Sequence, residues 1–363
     1  MKVSIKDIAK AAGVSHSTVS RALANSPLIA EHTRTRIHRI AQKKGYSPDA
    51  IARAFVTQRT KTIGVVVTSI ADPFVAEVVR GVEEIAADNG YRVFLGTSHD
   101  EPAREVNLVK ALREWRVDGV IVASSRMGAR YQPLLKEIGA PIVLINNQSK
   151  SGGRDLHSIA VDDVAGGALA TRHLVEQGHR VIGYLGGPPD RASNRDRLTG
   201  YQRALRAAKI AFDPTLALTG NGKIESGTQV AQLLKPGLTA IFCYNDMTAI
   251  GALHALKSRG IRVPQDISLV GYDDIVLASY MDPPLTTIHQ PKEAMGQLAT
   301  RMLLDLLSGN KVTNVRLPGK LIVRESTSPP APEPPPPSPD AREAIRIRRG
   351  GRGTKGVGSE AEN

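Results

Sequence analysis

The chain is nearly devoid of cysteine, which limits the covalent chemistry available to it. Cys243 is the single cysteine among 363 residues, so no disulfide can form within the chain. Cys243 lies in an apolar run, where a cysteine behaves as a small hydrophobic residue. We therefore expect a buried, inert thiol, with a reactive thiol as the alternative.

Long apolar segments are also missing. No apolar run approaches the ~18 residues that a membrane span requires, and the charged N-terminus lacks the apolar core of a secretory signal. We therefore expect no membrane partner and a cytoplasmic, nucleoid-associated location.

Recognisable catalytic motifs are absent as well. There is no H-E-x-x-H sequence, no cysteine pair and no plausible Ser-His-Asp spacing. Gly220-Asn221-Gly222 lacks the third glycine of a nucleotide fingerprint, and Thr354 precedes Lys355, the wrong order for a phosphate loop. We predict no catalytic residue, no metal site and no cofactor, and hence a protein that is not an enzyme. A transport-type binding protein is a further alternative, which the missing signal and the basic N-terminal segment oppose.

Basic charge, in contrast, is concentrated at one end of the chain. Residues 1–61 contain 12 Lys and Arg against 3 Asp and Glu, a net +9 of the total +13. Residues 62–328 contain 30 against 27. A small, strongly basic module is typical of a phosphate-binding surface on a nucleic-acid-binding protein.

The first 25 residues have the pattern of a helix-turn-helix. Ser4 and Asp7 have capping-box spacing, Gly13 can adopt the positive φ of a tight turn, and Ser15 can cap a second helix. The apolar residues recur at helical spacing: Ile5, Ile8, Ala9, Ala12, Val19 and Leu23. The alternative is an ordinary helical hairpin with a polar surface.

The second helix has the side chains that a recognition helix needs. His16, Ser17, Ser20 and Arg21 fall on its exposed face. Short polar groups can enter the major groove, and an arginine can donate two hydrogen bonds to one guanine.

A third helix is predicted over residues 31–44, and a short one follows it. Gly45 ends the third helix, Ser47 caps the next, and Pro48 occupies its first position. So short a helix is marginal in water, so we expect it to fold when docked on DNA and on a second copy of the chain.

Three motifs now make a family resemblance specific. V-S-x-x-T-V-S-R-x-L begins at Val14, Y-S-P-x-A-x-A-R-x-φ begins at Tyr46, and T-x-x-I-G-V-V-V begins at Thr60. Together they resemble the LacI/GalR family of bacterial transcriptional repressors, over about residues 3–327. The resemblance implies a homodimer on a palindromic DNA operator, controlled by a small-molecule effector.

In that family the short helix is a hinge that wedges a leucine into the minor groove. This chain has Phe55 at that position, and a phenyl ring is also a known minor-groove wedge. Packing of Phe55 between hinge and body is the alternative. The residues expected to contact DNA are Ser4, Ser15, His16, Ser17, Thr18, Ser20, Arg21, Asn25, Arg53 and Phe55.

The body alternates strand-like apolar runs with amphipathic helices such as Phe74–Asp88 and Leu298–Leu307. Such repetition predicts parallel sheets covered on both faces, here two doubly wound subdomains in a periplasmic-binding-protein-like core. The predicted strands are Thr62–Thr68, Arg92–Gly96, Gly119–Ala123, Ile142–Ile145, Val181–Leu185, Thr239–Tyr244 and Ile267–Tyr272.

The domain boundaries follow from these patterns and from the resemblance. We expect a helix-turn-helix domain over 1–46, a hinge and linker over 47–61, a core over 62–328 and a disordered tail over 329–363. By resemblance, one core subdomain comprises about 62–160 and 290–320, and the other about 161–289 and 321–328. The tail has eight prolines between Pro329 and Pro339, followed by basic and glycine-rich sequence.

Polar side chains follow the predicted strands, where open parallel sheets bind ligands. The expected effector-binding residues are Asp72, Phe74, Ser124, Asn146, Arg197, Asn245 and Asp273. The family's R-x-x-G-[YF], N-D-x-x-A-x-G and G-[YF]-D-D motifs support the roles of Arg197, Asn245 and Asp273.

Other roles are open for some of these polar residues. Arg197 could pair with Asp196 on the surface, Asp246 could cap the helix that follows it, and Asp274 is expected to be a helix cap. Residues 220–227 lack the aromatic ring that many family members place over the effector, so stacking would come from elsewhere, such as Phe74. Asn245 favours the sugar-binding members over the purine-binding ones, and we expect a carbohydrate.

Overall fold

The computed structural model describes residues 3–46, 59–123, 139–146 and 157–332. Five predictions lie wholly or mostly outside these ranges. They concern the short hinge helix that begins at Ser47 and Pro48, the roles of Arg53 and Phe55 in it, Ser124 in the ligand site, and the tail.

The N-terminal domain contains three helices, α1 (Ile5–Ala12), α2 (His16–Leu23) and α3 (Glu31–Lys43). Ile8, Val19, Ala22 and Ile37 are completely buried between them. Gly13 ends α1 with φ +64°, a conformation that glycine adopts without steric cost. The predicted helix-turn-helix is therefore confirmed.

Twelve strands lie in the described part of the body, and all of those in its two larger sheets run parallel. They are β1 (Thr62–Val67), β2 (Arg92–Thr97), β3 (Gly119–Ala123), β4 (Ile142–Ile145), β5 (His157–Val161), β6 (Ile182–Leu185), β7 (Ala217–Leu218), β8 (Ala240–Cys243), β9 (Ser268–Val270), β10 (Thr287–His289), β11 (Val315–Leu317) and β12 (Lys320–Ile322).

The strands divide between two lobes. One sheet has the order β11-β5-β4-β3-β1-β2, and a second has the order β7-β6-β8-β9. A small antiparallel pair, β10 with β12, accompanies the second sheet through bridges that join Val270 to Thr286 and Asp273 to His289. We call the part of the core around the six-stranded sheet lobe one, and the part around the other two sheets lobe two.

Seven helices accompany these strands within the described residues of the body: α4 (Pro73–Asp88), α5 (Pro102–Glu114), α6 (Asp163–Glu176), α7 (Ala192–Ala207), α8 (Ile224–Gly227), α9 (Asp246–Lys257) and α10 (Lys292–Leu307). Short 3₁₀ segments cover Pro214–Leu216, Thr228–Leu233 and Val276–Ser279. Among the described residues, no helix is both long enough and apolar enough to cross a membrane.

Helix α10 begins six residues before the predicted start at Leu298, because tertiary packing buries its polar first turns. Lys292, Met295 and Gly296 are buried there. A Cβ on Gly296 would lie 2.1 Å from the Val78 carbonyl oxygen of α4, so α4 and α10 approach more closely than larger side chains allow.

The chain passes between the lobes in the described residues. It leaves the six-stranded sheet after β5, returns with α10 and β11, and ends in lobe two with β12. Because both lobes have parallel sheets, the loops after their strands can face one another across a cleft.

Candidate functional site

Helix α2 presents a polar surface to solvent. The Ser15 hydroxyl caps the helix by accepting a hydrogen bond from the Thr18 backbone N–H at 3.1 Å. Next on the helix, His16, Ser17, Ser20 and Arg21 are exposed. The first turn of α2 is therefore accessible to a partner as large as a DNA groove.

Several other predicted DNA contacts already take part in local hydrogen bonds. The Ser4 hydroxyl donates to Asp7 Oδ2 at 2.7 Å, and the Thr18 hydroxyl lies 2.8 Å from Ser15 Oγ. Asn25 has φ +53°, and its Oδ1 lies 3.2 Å from His38 Nε2. These bonds give the residues a folding role, and their contacts with DNA stay predictions.

A cavity of about 330 Å³ lies between the two lobes. Lobe one contributes Asp72, Phe74 and Asn146, and lobe two contributes Arg197, Asn245 and Asp273. All the predicted effector-binding residues that the structure describes therefore line one cavity, although their roles stay predictions. The lining also includes Thr68, Ser69, Asp100, Arg191, Ser193, Lys223, Glu225, Tyr244 and Gln290.

Arg197 is the buried cation of this cavity. Its Nε donates to Asp163 Oδ1 at 2.9 Å, and its Nη1 donates to the Tyr244 carbonyl oxygen at 2.6 Å. The guanidinium carbon also lies 3.6 Å from the centre of the Tyr272 ring, within cation–π range. The alternative in which Arg197 pairs with Asp196 on the surface is wrong, because the side chain is buried against Asp163.

The electrostatics of Arg197 follow from this environment. Burial by itself would lower the pKa of Arg197, but the Asp163 and Asp273 carboxylates raise it well above its ordinary value. Arg197 is therefore a fixed positive charge inside the core.

Asp273 faces Arg197 across a longer distance. Its Oδ1 lies 3.7 Å from Arg197 Nη1 and accepts a 2.6 Å hydrogen bond from Gln290 Nε2. Burial raises the pKa of Asp273 well above its usual range, although nearby Arg197 opposes that shift. The residue has φ +113°, a conformation that non-glycine residues rarely adopt and that is often found at functional sites.

Asn146 offers the cavity an acceptor. Its Nδ2 donates to Gln290 Oε1 at 3.3 Å, which links lobe one to the segment that connects the lobes. Its Oδ1 is buried and has no hydrogen-bond partner within the described ranges. A ligand hydroxyl or N–H could satisfy this oxygen, which otherwise costs free energy.

Asn245 combines a capping role with its place in the lining. Its Oδ1 accepts from the Thr248 backbone N–H at 2.9 Å, and its Nδ2 donates to the Gly222 carbonyl oxygen at 2.8 Å. Asn245 therefore caps α9, so the alternative that assigned this cap to Asp246 is wrong.

Asp246 instead lies fully buried behind the site. It accepts hydrogen bonds from the Thr287 hydroxyl at 2.6 Å and from the Ile275 backbone N–H at 2.9 Å. Burial raises the pKa of Asp246 to about 7.

The prediction that Asp274 caps a helix is also wrong. Asp274 Oδ1 accepts from Arg324 Nη2 at 2.6 Å, and Oδ2 lies 2.9 Å from His289 Nδ1. Asp274 therefore fastens the segment after β12 to lobe two.

The aromatic surface of the cavity comes from Tyr244 and Phe74. Residues 220–227 supply no ring, but Tyr244 packs over Gly222, where a Cβ would lie 3.0 Å from the ring. Phe74 is only 5% exposed and belongs mainly to the core of lobe one. Cys243, next to Tyr244, is completely buried, and burial raises the pKa of its thiol, as expected for an inert residue.

Asp72 caps α4 while it lines the cavity. Its Oδ1 accepts a 3.0 Å hydrogen bond from the Phe74 backbone N–H, and burial raises the pKa of its carboxyl. The sequence position after β1 predicted its location, but not its use as a cap.

Sequence reasoning missed an ion pair between the lobes. Arg191 of lobe two pairs with Asp100 of lobe one, and both line the cavity. Asp100 has φ +65° and follows His99, which has φ +52°; no local sequence motif predicts this turn. Arg191 could have been noticed, because it stands just before the first turn of the helix that carries Arg197.

Comparisons with known proteins agree with this arrangement. The family "Bacterial regulatory proteins, lacI family" matches residues 4–49, and "Periplasmic binding protein-like domain" matches residues 171–327. A relative named "HTH-type transcriptional repressor PurR" from Aliivibrio fischeri (strain MJ11) is 36% identical over 309 residues, which cover 83% of this chain and 90% of the relative. The chain belongs to the LacI family.

Two solved structures extend the comparison. The Lac repressor dimer bound to operator and the anti-inducer ONPF matches with a TM-score of 0.82 and 29% identity, covering 90% of this chain and 100% of that one. The transcriptional regulator CelR–cellobiose complex matches with a TM-score of 0.69 and 32% identity, with the same coverage. The present chain is thus a DNA-binding transcriptional repressor of the LacI family with an effector-binding core, in a family that is not enzymatic.

Proposed function

We propose that this LacI-family repressor binds a palindromic operator as a homodimer and is controlled by a carbohydrate in the cavity between its lobes. The observation that carries the proposal is that one chain has both an exposed polar helix, α2, and a polar cavity lined by residues of both lobes. We also propose the subdomain boundaries given above, and a cytoplasmic, nucleoid-associated location, because a repressor must reach the chromosome.

The chemistry of the cavity supports a carbohydrate. Carboxylates, amides and an arginine can bond many hydroxyl groups, while Phe74 and Tyr244 offer apolar surface to a sugar ring. A similar solved regulator is described as a complex with cellobiose, and another, 32% identical with a TM-score of 0.67, has bound ribose.

Two exposed apolar surfaces support the homodimer. Strand β2 is an edge strand with exposed Phe94 and Leu95, and the Phe94 ring lies 5.0 Å from the exposed Trp115 ring. The 3₁₀ segment Val276–Ser279 and Tyr280 form the second, in lobe two. Such exposed apolar side chains are common where subunits associate.

Closure of the lobes would connect the two activities. A ligand that binds one arrangement of the lobes more tightly shifts the population toward it, and the repressor's affinity for DNA changes by the difference in binding free energy. Thr60 and Lys61 join the linker to the core because their backbone N–H groups donate to the Asp118 carboxylate, so movement of lobe one would reach the linker directly.

Two measurements test the proposal. Selection from randomised DNA with the full-length protein should enrich an inverted repeat, whereas enrichment of one isolated half-site would contradict a dimeric reader. A thermal-shift screen of sugars, polyols, nucleosides and nucleobases should then give a sugar hit, since a ligand at 100 times its Kd adds ~2.7 kcal/mol. A nucleobase hit alone would reject the carbohydrate.

Asp273→Asn is the decisive variant for the cavity. Asparagine tolerates the positive φ but replaces one carboxyl oxygen with an NH₂ group, so an effector group that donates to that oxygen loses its acceptor, and we expect at least about tenfold weaker effector binding. Selected DNA should bind with unchanged affinity in the absence of effector. Normal release of DNA by the same effector concentration would reject the assignment of Asp273.

A further inference from the structure

Carboxylates outnumber cations among the described residues that line the cavity. The cationic side chains are Arg191, Arg197 and Lys223, and the carboxylates are Asp72, Asp100, Glu225 and Asp273. Asp163, just outside the lining, adds a further negative charge against Arg197. Burial raises the pKa values of Asp72 and Asp273, which favours their neutral forms, and the remaining carboxylates lie beside the cations. An anionic ligand would therefore meet a lining without a large excess of positive charge.

The two deeper cations are engaged by the protein itself. Arg197 binds Asp163 and the Tyr244 carbonyl oxygen. Arg191 forms its ion pair with Asp100, and these side chains are 13% and 29% exposed. Lys223 is exposed, as is Glu225 two residues later, so water screens both charges.

Of the helix N-termini at the cavity, those of α4 and α9 are occupied by a side-chain cap, whereas α7 and the one-turn α8 have none. Asp72 caps α4 by accepting from the Phe74 backbone N–H, and Asn245 caps α9 by accepting from the Thr248 backbone N–H. A free helix N-terminus attracts phosphate, but a side-chain oxygen already fills these positions.

Hydrogen-bond acceptors, by contrast, are available. Asn146 Oδ1 is buried without a partner within the described ranges, and the Asp273 carboxyl faces the same cavity. A ligand with several O–H or N–H donors satisfies these groups, whereas a phosphate or carboxylate would add a charge beside them.

We infer that the cavity selects an uncharged, donor-rich ligand and discriminates against its phosphorylated form, because Asp100 occupies Arg191. The inference rests on the proposed function of the cavity as the effector site and narrows its ligand class. It assigns Asp100 a specificity role that acts through Arg191.

Inorganic phosphate is the first probe, because it requires no knowledge of the effector. The thermal unfolding of the full-length protein is compared in phosphate and in chloride at equal ionic strength. The variants are Asp100→Asn, Arg191→Gln and, as a matched control, Glu225→Gln, which removes a screened carboxylate from the same lining.

We expect phosphate to stabilise Asp100→Asn more than wild type or Glu225→Gln. If phosphate raises the unfolding temperature of wild type and of Arg191→Gln equally, the phosphate binds another surface, such as the basic N-terminal domain, and the result agrees with the inference. A phosphate effect that is present in wild type but lost in Arg191→Gln would overturn the inference. An equal phosphate effect in Asp100→Asn and Glu225→Gln would also overturn it.

Matched ligand pairs provide the second test by calorimetry: ribose with ribose 5-phosphate, glucose with glucose 6-phosphate, and adenosine with its monophosphate. For each pair that binds, we expect the Kd of the uncharged compound to be at least about tenfold lower than that of its phosphorylated form. In Asp100→Asn the ratio of these two Kd values should be smaller than in wild type. Preference for a sugar phosphate would overturn the inference but keep the carbohydrate proposal. Preference for adenosine over its monophosphate, with no binding of the sugars, would support the inference but reject the carbohydrate proposal.

Discussion

Arg21 is the exposed cation of α2, on the face opposite the buried Val19 and Ala22. We predict that Arg21→Ala relaxes base preference at one operator position by about 1–3 kcal/mol, because a bidentate arginine–guanine contact is lost. Binding-site selection with wild type and variant measures this change. Lys43→Ala, which removes an exposed charge at the end of α3, is the control, and it should leave the selected sequence unchanged. An unaltered preference in Arg21→Ala would reject base reading by Arg21.

Arg197 and Asp163 are the most deeply buried charged pair of the site, each with a side chain 4% exposed. We predict that Arg197→Met destabilises the core by about 3–5 kcal/mol, because it leaves the Asp163 carboxylate buried without its cation. Urea unfolding of the full-length protein gives the free energy. The double variant Arg197→Met/Asp163→Leu should lose clearly less free energy of unfolding than the sum of the losses in the two single variants. Strictly additive losses would show that the two residues are not coupled.

At the scale of elements, lobe two depends on a C-terminal segment, residues 324–328, that lies against β9. The Leu269 backbone N–H donates to the Ser326 carbonyl oxygen at 2.8 Å, and the Ser326 hydroxyl donates to the Leu269 carbonyl oxygen at 2.6 Å. His173 Nε2 lies 2.9 Å from Thr327 Oγ1, and His179 Nε2 lies 2.9 Å from the Ser328 carbonyl oxygen. Two largely buried histidines therefore hold the segment in place.

These histidines predict a pH dependence of stability. Burial lowers the pKa of His173 and of His179, so below about pH 6.5 these two side chains bind more protons in the unfolded chain than in the folded one. Their contribution to the free energy of unfolding should therefore fall as the pH drops through that value, whereas buried carboxyl groups such as Asp246 act in the opposite direction. We predict that His179→Gln loses less stability than wild type between about pH 7.5 and 5.5.

Urea unfolding at the two pH values measures this difference. Carboxyl groups such as Asp246 contribute equally to wild type and variant, so the comparison isolates the histidine. His254→Gln, which changes an exposed histidine on α9, is the matched control and should behave as wild type. An equal pH dependence of the free energy of unfolding in His179→Gln and wild type would show that protonation of His179 does not contribute to it.

At the scale of the whole molecule, the proposed dimer depends on exposed apolar side chains. Tyr280 is 80% exposed and follows the exposed Val276 and Leu277. We predict that Tyr280→Asp converts the dimer into a monomer of 38.9 kDa, because association would bury an unpaired charge. Sedimentation velocity measures the mass, and Tyr280→Phe should remain dimeric.

Operator binding should follow the change in assembly. A dimer that engages two half-sites gains about 10²–10⁴-fold in apparent affinity over one that engages a single half-site. We expect Tyr280→Asp to lose affinity in that range for the inverted repeat, while its affinity for one half-site is unchanged. A wild-type protein that sediments as a monomer on its own and on DNA would reject the dimer.

The sequence by itself determined the local elements and the family. Helical periodicity, Gly13 and the Ser15 cap fix the helix-turn-helix, because each acts over four residues or fewer. The seven predicted strands lie within two residues of the observed bounds, since buried parallel strands are continuous apolar runs. The short β7, β10, β11 and β12 escaped prediction, because two or three residues carry no period. The five-residue β5 escaped as well, because it begins with the polar His157 and Ser158 rather than with an apolar run.

Only the tertiary structure decided which polar groups meet. Arg197 pairs with Asp163 rather than with its neighbour Asp196, and Arg191 reaches Asp100 from a different lobe, 91 residues away. Asn245 rather than Asp246 caps α9, because the packing of lobe two buries Asp246 against Thr287. Sequence patterns report the environment along one element, whereas a cleft between lobes is formed by segments that meet only after both sheets have folded.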